Sequence, residues 1–180
     1  MNPCRPLLAL LVLALPVLAA AQVPPTPATK SQQLAMLASP DPKLARNKRH
    51  VFDFWRFVYE GGHVDQAAKY MAEGYIQHNP NLPSGRETFV NFFKAARPAK
   101  PIADHMKMPV VSITAEGDRV ILLSARKVRD RAKPDHIYFI TWFDAFRIDA
   151  QGLIAEHWDP SETWVDGKPP GAEFFGEWDK

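Results

Sequence analysis

Three side chains near the end of the chain have types that could move a proton: Asp144, His157 and Asp159. Between the first two lies Asp149-Ala150-Gln151-Gly152, a turn signal with glycine where a left-handed backbone is needed. A hairpin closed there sets Ile148 against Leu153. Counting back pairs Phe146 with Ala155, Asp144 with His157 and Trp142 with Asp159. Side chains two apart share a face, so Asp144, Phe146, His157, Asp159 and Trp142 are expected on one side of a sheet. Arg147 and Glu156, diagonal to each other, would form an ordinary ion pair on the other. Two carboxylates and an imidazole among aromatics are costly to bury unless paired, and burial moves their pKa values toward those of general acids and bases. The rival reading is a surface contact or a satisfied polar pair of the core. A one-residue slip would exchange the two faces.

Other chemistries find less support. His157, Asp159 and His78 are of metal-ligand type, but no spacing here is specific to a metal site, and no metal or other cofactor is expected. There is no G-x-S-x-G elbow, no H-E-x-x-H pair and no glycine-rich phosphate loop. With 22 basic against 20 acidic side chains the chain is close to neutral, which argues against a nucleic-acid partner. The basic cluster Arg126, Lys127, Arg129, Arg131 and Lys133 beside Pro134 reads as a solvated hairpin end.

The elements that would position the three residues follow from periodicity. Asp41-Pro42 supplies an N-cap and a first-turn proline. Val51, Phe52, Trp55, Val58 and Tyr59 then recur at helical steps until Gly61-Gly62. A shorter helix carries Val64, Ala67, Ala68 and Met71 and stops before Gly74. A third opens with the capping-box pattern Ser84-Gly85-Arg86-Glu87, presents Phe89, Phe92, Phe93 and Ala96, and closes at Pro98. Between these two, Tyr75 to Asn79 is a short extended piece ended by Pro80. After Pro101 the pattern alternates, giving strands over 106–115, 119–128, 137–148 and 153–159. Three helices followed by an antiparallel meander predict an α+β fold with helices on one face of a curved sheet.

The flanks read differently. Arg5, the apolar run Leu7 to Leu18 and Ala19-Ala20-Ala21 have the form of a secretory signal peptide over 1–21, predicting a periplasmic or secreted protein with no stable membrane insertion after cleavage. The only cysteine, Cys4, falls within it, which leaves the mature chain without a disulfide or a thiol nucleophile. Residues 22–40 read as a proline-rich linker and a short N-terminal segment, 41–162 as the folded domain, and 163–180 as an aromatic tail. Trp164, Phe174, Phe175 and Trp178 of that tail are expected to cover a sheet edge or a second subunit.

The segments Tyr75-Ile76-Gln77-His78-Asn79-Pro80 with Gly85-Arg86, Phe143-Asp144-Ala145-Phe146-Arg147-Ile148 and Glu156-His157-Trp158-Asp159 resemble, in order and spacing, the SnoaL-like polyketide-cyclase proteins of the nuclear transport factor 2-like superfamily. The resemblance spans roughly 43–162. It implies a cone-shaped α+β barrel, three N-terminal helices packed on a strongly curved, mostly antiparallel sheet, with a pocket at one end and dimers through the outer sheet face. The superfamily holds isomerases, lyases, hydrolases, cyclases and members without any reaction, so the fold leaves the activity open. Asp144 resembles the position where ketosteroid isomerases keep a protonated aspartate. The position of their general base is Asn79 here, an amide without useful basicity. His78, His157 and Asp159 resemble polar pocket residues of the cyclase-like members, where a carboxylate or imidazole takes a proton next to a carbonyl.

The expectation is a cofactor-free lyase, isomerase or cyclase acting on a small apolar carbonyl compound. His157 or Asp159 would be the base and Asp144 its orienting partner or an oxyanion donor. His78 and Asn79 would hold the substrate, and Trp55, Phe92, Trp142 and Phe146 would line the pocket. The alternatives are a non-catalytic binder of a small apolar ligand and a structural homodimer module.

Overall fold

The computed structural model describes residues 23, 25–129, 133 and 135–160. The expected signal peptide, the aromatic tail, and Arg131 and Pro134 of the basic cluster lie outside the described residues. No helix among the described residues is long and apolar enough to cross a membrane.

The spine of the molecule is α2, Pro42–Phe54, which begins as its sequence dictates: the Asp41 carboxylate accepts from the Lys43 backbone N–H at 2.7 Å and proline occupies the first turn. Its apolar stripe, Val51, Phe52 and Phe54, runs on through a π-helical turn, Trp55–Glu60, which buries Trp55 and Val58. Gly62 ends the run with φ 71°, and a Cβ there would meet the Pro98 carbonyl at 2.6 Å.

Next comes a 3-10 turn, Val64–Lys69, shorter than the helix expected to reach Gly74. Met71 already belongs to a strand, β1 (Met71–Gln77), because it pairs with Ile154 and the Ile154 N–H donates to the Tyr70 carbonyl at 2.8 Å. Helix α3, Arg86–Ala96, starts at Gly85, not on the capping box. The Ser84 hydroxyl accepts the Gln77 backbone N–H at 3.0 Å instead. Phe89 and Phe93, one turn apart, make α3's buried stripe; Phe92 falls beside it and is 41% exposed.

Helix α1, Lys30–Met36, lies in the stretch read as linker and short segment. Seven residues are too few to show a period, and polar groups tie this helix down. The buried Gln33 amide donates to the Met106 carbonyl and accepts from the Met106 N–H, both at 2.8 Å. The Lys48 ammonium donates to the carbonyls of Met36, the last helical residue, and of Ala38 just past it.

The meander comprises β2 (Val110–Glu116), β3 (Arg119–Arg129), β4 (Ile137–Ile148) and β5 (Ile154–Trp158). The sheet order is β1-β5-β4-β3-β2, antiparallel throughout except for the parallel β1–β5 pair. Strand β2 starts four residues later than expected. The Met106 backbone is claimed by Gln33, and the Lys107 and Met108 N–H groups by the Glu60 carboxylate. The sheet curls without closing, and its inner residues Val120, Leu122, Phe146 and Ile154 join Phe52, Met71, Met106 and Met108 in the core. This is the α+β cone that the sequence predicts.

Candidate functional site

The last hairpin places the three titratable residues, though by a different register from the one counted on the sequence. Phe146 faces His157, Arg147 faces Glu156, Ala145 faces Trp158 and Ile148 faces Ile154. Two local features make the difference. The Asp149 carboxylate accepts the N–H groups of Gln151 and Leu153, both at 2.9 Å, which draws Leu153 into the turn beside Gly152 (φ 82°). The register then shifts between Ile148 and Arg147, where Ala155 is the extra residue of a bulge. Beyond the bulge the net offset is two positions, so Glu156, His157 and Trp158 keep their faces, whereas Ile154, which the count sets against Arg147, faces Ile148 in the core. Asp144 is therefore diagonal to His157 and not opposite it, while Arg147 and Glu156 are opposite and joined through Nε and Oε1.

His157 is held on three sides. Its ring stacks on Phe146 with centroids 4.7 Å apart. Nε2 is 3.2 Å from Asp144 Oδ1, and Nδ1 is 3.0 Å from the Gln77 amide nitrogen and 3.2 Å from its oxygen. An ionised carboxylate only accepts, so Nε2 carries the proton donated to Asp144. A neutral Nδ1 then accepts from the Gln77 amide, and a protonated one would find the Gln77 oxygen as its acceptor. The same amide donates to the Tyr75 hydroxyl at 3.1 Å and accepts from the Asn79 N–H at 3.0 Å.

The second carboxylate, Asp159, follows β5 directly. Its Oδ1 accepts from Asn79 Nδ2 at 3.0 Å. Burial pushes its carboxyl above the usual aspartate range, with His157 as the main opposing influence and Asp144 adding to the rise. Burial likewise raises the Tyr75 hydroxyl. The Arg126 guanidinium lies 3.7 Å from Asp144 Oδ2 and stacks at 3.7 Å over the Trp142 ring. Ligand atoms of Asp144, His157 and Asp159 all lie within 4.8 Å of one another, a donor set that could take a small divalent cation; the Asp144–His157 hydrogen bond already engages two of its members.

Of the residues singled out on the sequence, the structure gathers Asp144, His157, Asp159, Asn79 and Phe146 into one cluster. Trp142 shares the inner face through its place on β4, and Trp55 packs edge-on behind Phe146 at 6.4 Å. Two expectations fail. Phe92 points away from the interior, for the reason given above. His78 is on the outer face, where Nε2 bonds Glu156 at 2.8 Å and the ring stacks on Trp158 at 4.4 Å. Strand alternation carries the signal that corrects it: Tyr75, Gln77 and Asn79 face one way and Ile76 and His78 the other, so His78 and Asn79 cannot both point inward. The same alternation could have found Gln77 and Tyr75, and the β3–β4 pairing places Arg126 and Ser124 near Trp142. A separate groove of about 560 Å³ between α1 and α2, lined by Leu34, Leu37, Ala45, Arg46, His50 and Tyr70, contains none of the cluster.

Residues 49–157 match the SnoaL-like domain family, and the chain belongs to it. No curated protein matches the chain. Several solved structures are similar at low identity. TsrD from Streptomyces laurentii is 19% identical over 68% of this chain and 90% of its own, with a TM-score of 0.42. A proposed polyketide cyclase from Acidithiobacillus ferrooxidans is 18% identical over the same shares, at 0.45. An epoxide hydrolase of M. tuberculosis is 12% identical over 63% of this chain and 80% of its own, also at 0.45.

Proposed function

We propose that this SnoaL-like protein is a cofactor-independent enzyme of the cyclase, isomerase or lyase type that moves a proton on a small, largely apolar carbonyl compound. One observation carries the reading: a buried Asp144–His157 hydrogen bond stands beside a second carboxylate that burial has made more basic. A base works best with a pKa near the working pH, and Asp159 is the carboxylate moved in that direction. Asp159 takes the proton from the carbon next to the carbonyl, and the C–H electron pair passes into the enolate. His157 has both ring nitrogens engaged within the protein, so it orients Asp144 and moderates the upward shift of Asp159 from nearby. Asn79 fixes the Asp159 oxygen that does not react.

The test is deuterium incorporation next to the carbonyl of 4-phenylbutan-2-one in heavy water. Wild type is expected to catalyse it, and Asp144→Asn and Asp159→Asn each to lose about 10²–10⁴-fold. Exchange at equal rates in all three proteins would overturn the reading.

The protein works outside the cytoplasm, a reading that rests on the apolar leader of its sequence. It acts as a homodimer through the outer face of β2, β3 and β4, where Val111, Ile121 and Phe143 are 53%, 42% and 45% exposed. Phe143→Lys combined with Ile121→Lys is expected to halve the mass measured by sedimentation; an unchanged mass would exclude this face.

A further inference from the structure

Three polar atoms on the inner face of β3 and β4 are buried and have no hydrogen-bond partner among the described residues: Ser124 Oγ, Trp142 Nε1 and Asp144 Oδ2. Each such atom normally destabilises a fold, and interiors keep few of them. Here they are neighbours. Ser124 is paired across the strands with Trp142, and Asp144 is the next residue of β4 on the same face. Paired side chains start about 5 Å apart and diagonal ones about 7–8 Å, a spacing within the reach of one small molecule.

Their chemistry defines what that molecule must carry. An indole N–H only donates, and an ionised carboxylate oxygen only accepts; the serine hydroxyl rotates to do either. The complement is an acceptor oxygen for Trp142 and Ser124 with a hydroxyl for Asp144 a few bonds away. Arg126, stacked on Trp142, holds the indole plane and places positive charge at this end of the site. Asp144 Oδ1 is engaged by His157, and Oδ2 has the Arg126 guanidinium 3.7 Å away but no hydrogen bond, so Oδ2 is the oxygen that can still accept a ligand hydroxyl.

We infer that Trp142 Nε1–H and Ser124 Oγ–H bind the substrate carbonyl oxygen while Asp144 Oδ2 accepts a hydroxyl on the same molecule, so that the site selects β-hydroxy ketones. The inference rests on the proton-transfer reading, for which it supplies the donors that stabilise the enolate oxygen.

The experiment titrates the full chain calorimetrically with 4-hydroxy-4-phenylbutan-2-one, with 4-phenylbutan-2-one, which lacks the hydroxyl, and with butylbenzene, which lacks both groups. Affinity is expected to fall about 3- to 10-fold at each step. Trp142→Phe, which keeps a ring under Arg126, and Ser124→Ala should each weaken the hydroxy ketone about 3- to 10-fold and leave butylbenzene unchanged. The indole N–H resonance missing from the Trp142→Phe spectrum should move downfield with both carbonyl compounds and stay still with butylbenzene. Ser124→Ala also removes an orphan hydroxyl, so the ligand-free variant should melt about 2–4 °C higher than wild type. Equal affinity for the three compounds, no binding of the hydroxy ketone, or a stationary Trp142 resonance would overturn the inference. If deuterium exchange proceeds while these variants bind normally, the inference fails and the proton-transfer reading survives. If the graded binding is found without exchange, the reverse holds.

Discussion

Glu60 and Asp144 are both carboxylates taken out of water, and they are finished to different degrees. Glu60 Oε1 accepts from Trp55 Nε1 at 3.2 Å and from the Met108 N–H at 3.1 Å, and Oε2 accepts from the Lys107 N–H at 2.9 Å. Both oxygens are spoken for. Asp144 has one oxygen on His157 and one that faces the Arg126 guanidinium at 3.7 Å without a hydrogen bond, beside an indole and a hydroxyl that have none among the described residues. A buried charge that the chain satisfies by itself serves the fold: Glu60 ties the π-helical turn to the segment ahead of β2. A buried charge left half-satisfied keeps capacity for something that is not part of the chain.

The contrast can be broken most decisively at Asp159, the partner of the unfinished side. Asp159→Asn keeps an oxygen to accept from Asn79, so it should fold, yet exchange should fall by the two to four orders of magnitude given above. Its stability should move the other way. Because burial raises the folded-state pKa of Asp159, this group's favourable share of stability is complete below the ordinary aspartate range and is lost as pH rises through the folded value. Urea titrations should therefore show the variant gaining on wild type from about pH 4 toward neutrality. A variant less stable than wild type at pH 7 would mean that the Asp159 carboxylate serves the fold.

Glu60→Gln should do the opposite. It sets an amide N–H₂ against backbone donors, and a loss of about 1–3 kcal/mol in unfolding free energy is expected. Exchange per folded molecule should stay within about threefold. A kinetic loss larger than that would erase the distinction between the two carboxylates.

The smallest effect is expected on the outer face. Glu156 is held below the usual glutamate range by hydrogen bonds from His78 and Arg147. Its contribution is present above that range and fades as pH falls through the folded value. Glu156→Gln should cost less than about 1 kcal/mol near neutrality by urea unfolding, with exchange unchanged.

The legible parts of this molecule are those set by period. The Asp41 cap, the stripe from Val51 to Val58, the long strands β3 and β4 and the glycine turn at 149–152 follow from local rules, and the structure keeps them. The common face of Asp144, Phe146 and His157 was legible because the register error was an even number. Less legible were outcomes decided by distant partners. Ser84 gives its oxygen to Gln77, α1 docks through one buried glutamine, and β2 waits until Glu60 and Gln33 have released the backbone. His78 was misplaced because a resemblance weighed more than the parity of a strand. Gln77, three positions before Pro80, is the residue on the inner face, where its amide meets the His157 ring.

One property of the sheet bears on how the protein matures. Gln77 and Asn79 reach His157 and Asp159 across eighty positions of chain, through the parallel β1–β5 contact at the sheet's rim. Hairpins form from neighbours, whereas this seam waits for loop closure over most of the domain. A refolding molecule would thus acquire its meander before its imidazole finds an anchor, and structural recovery would run ahead of competence.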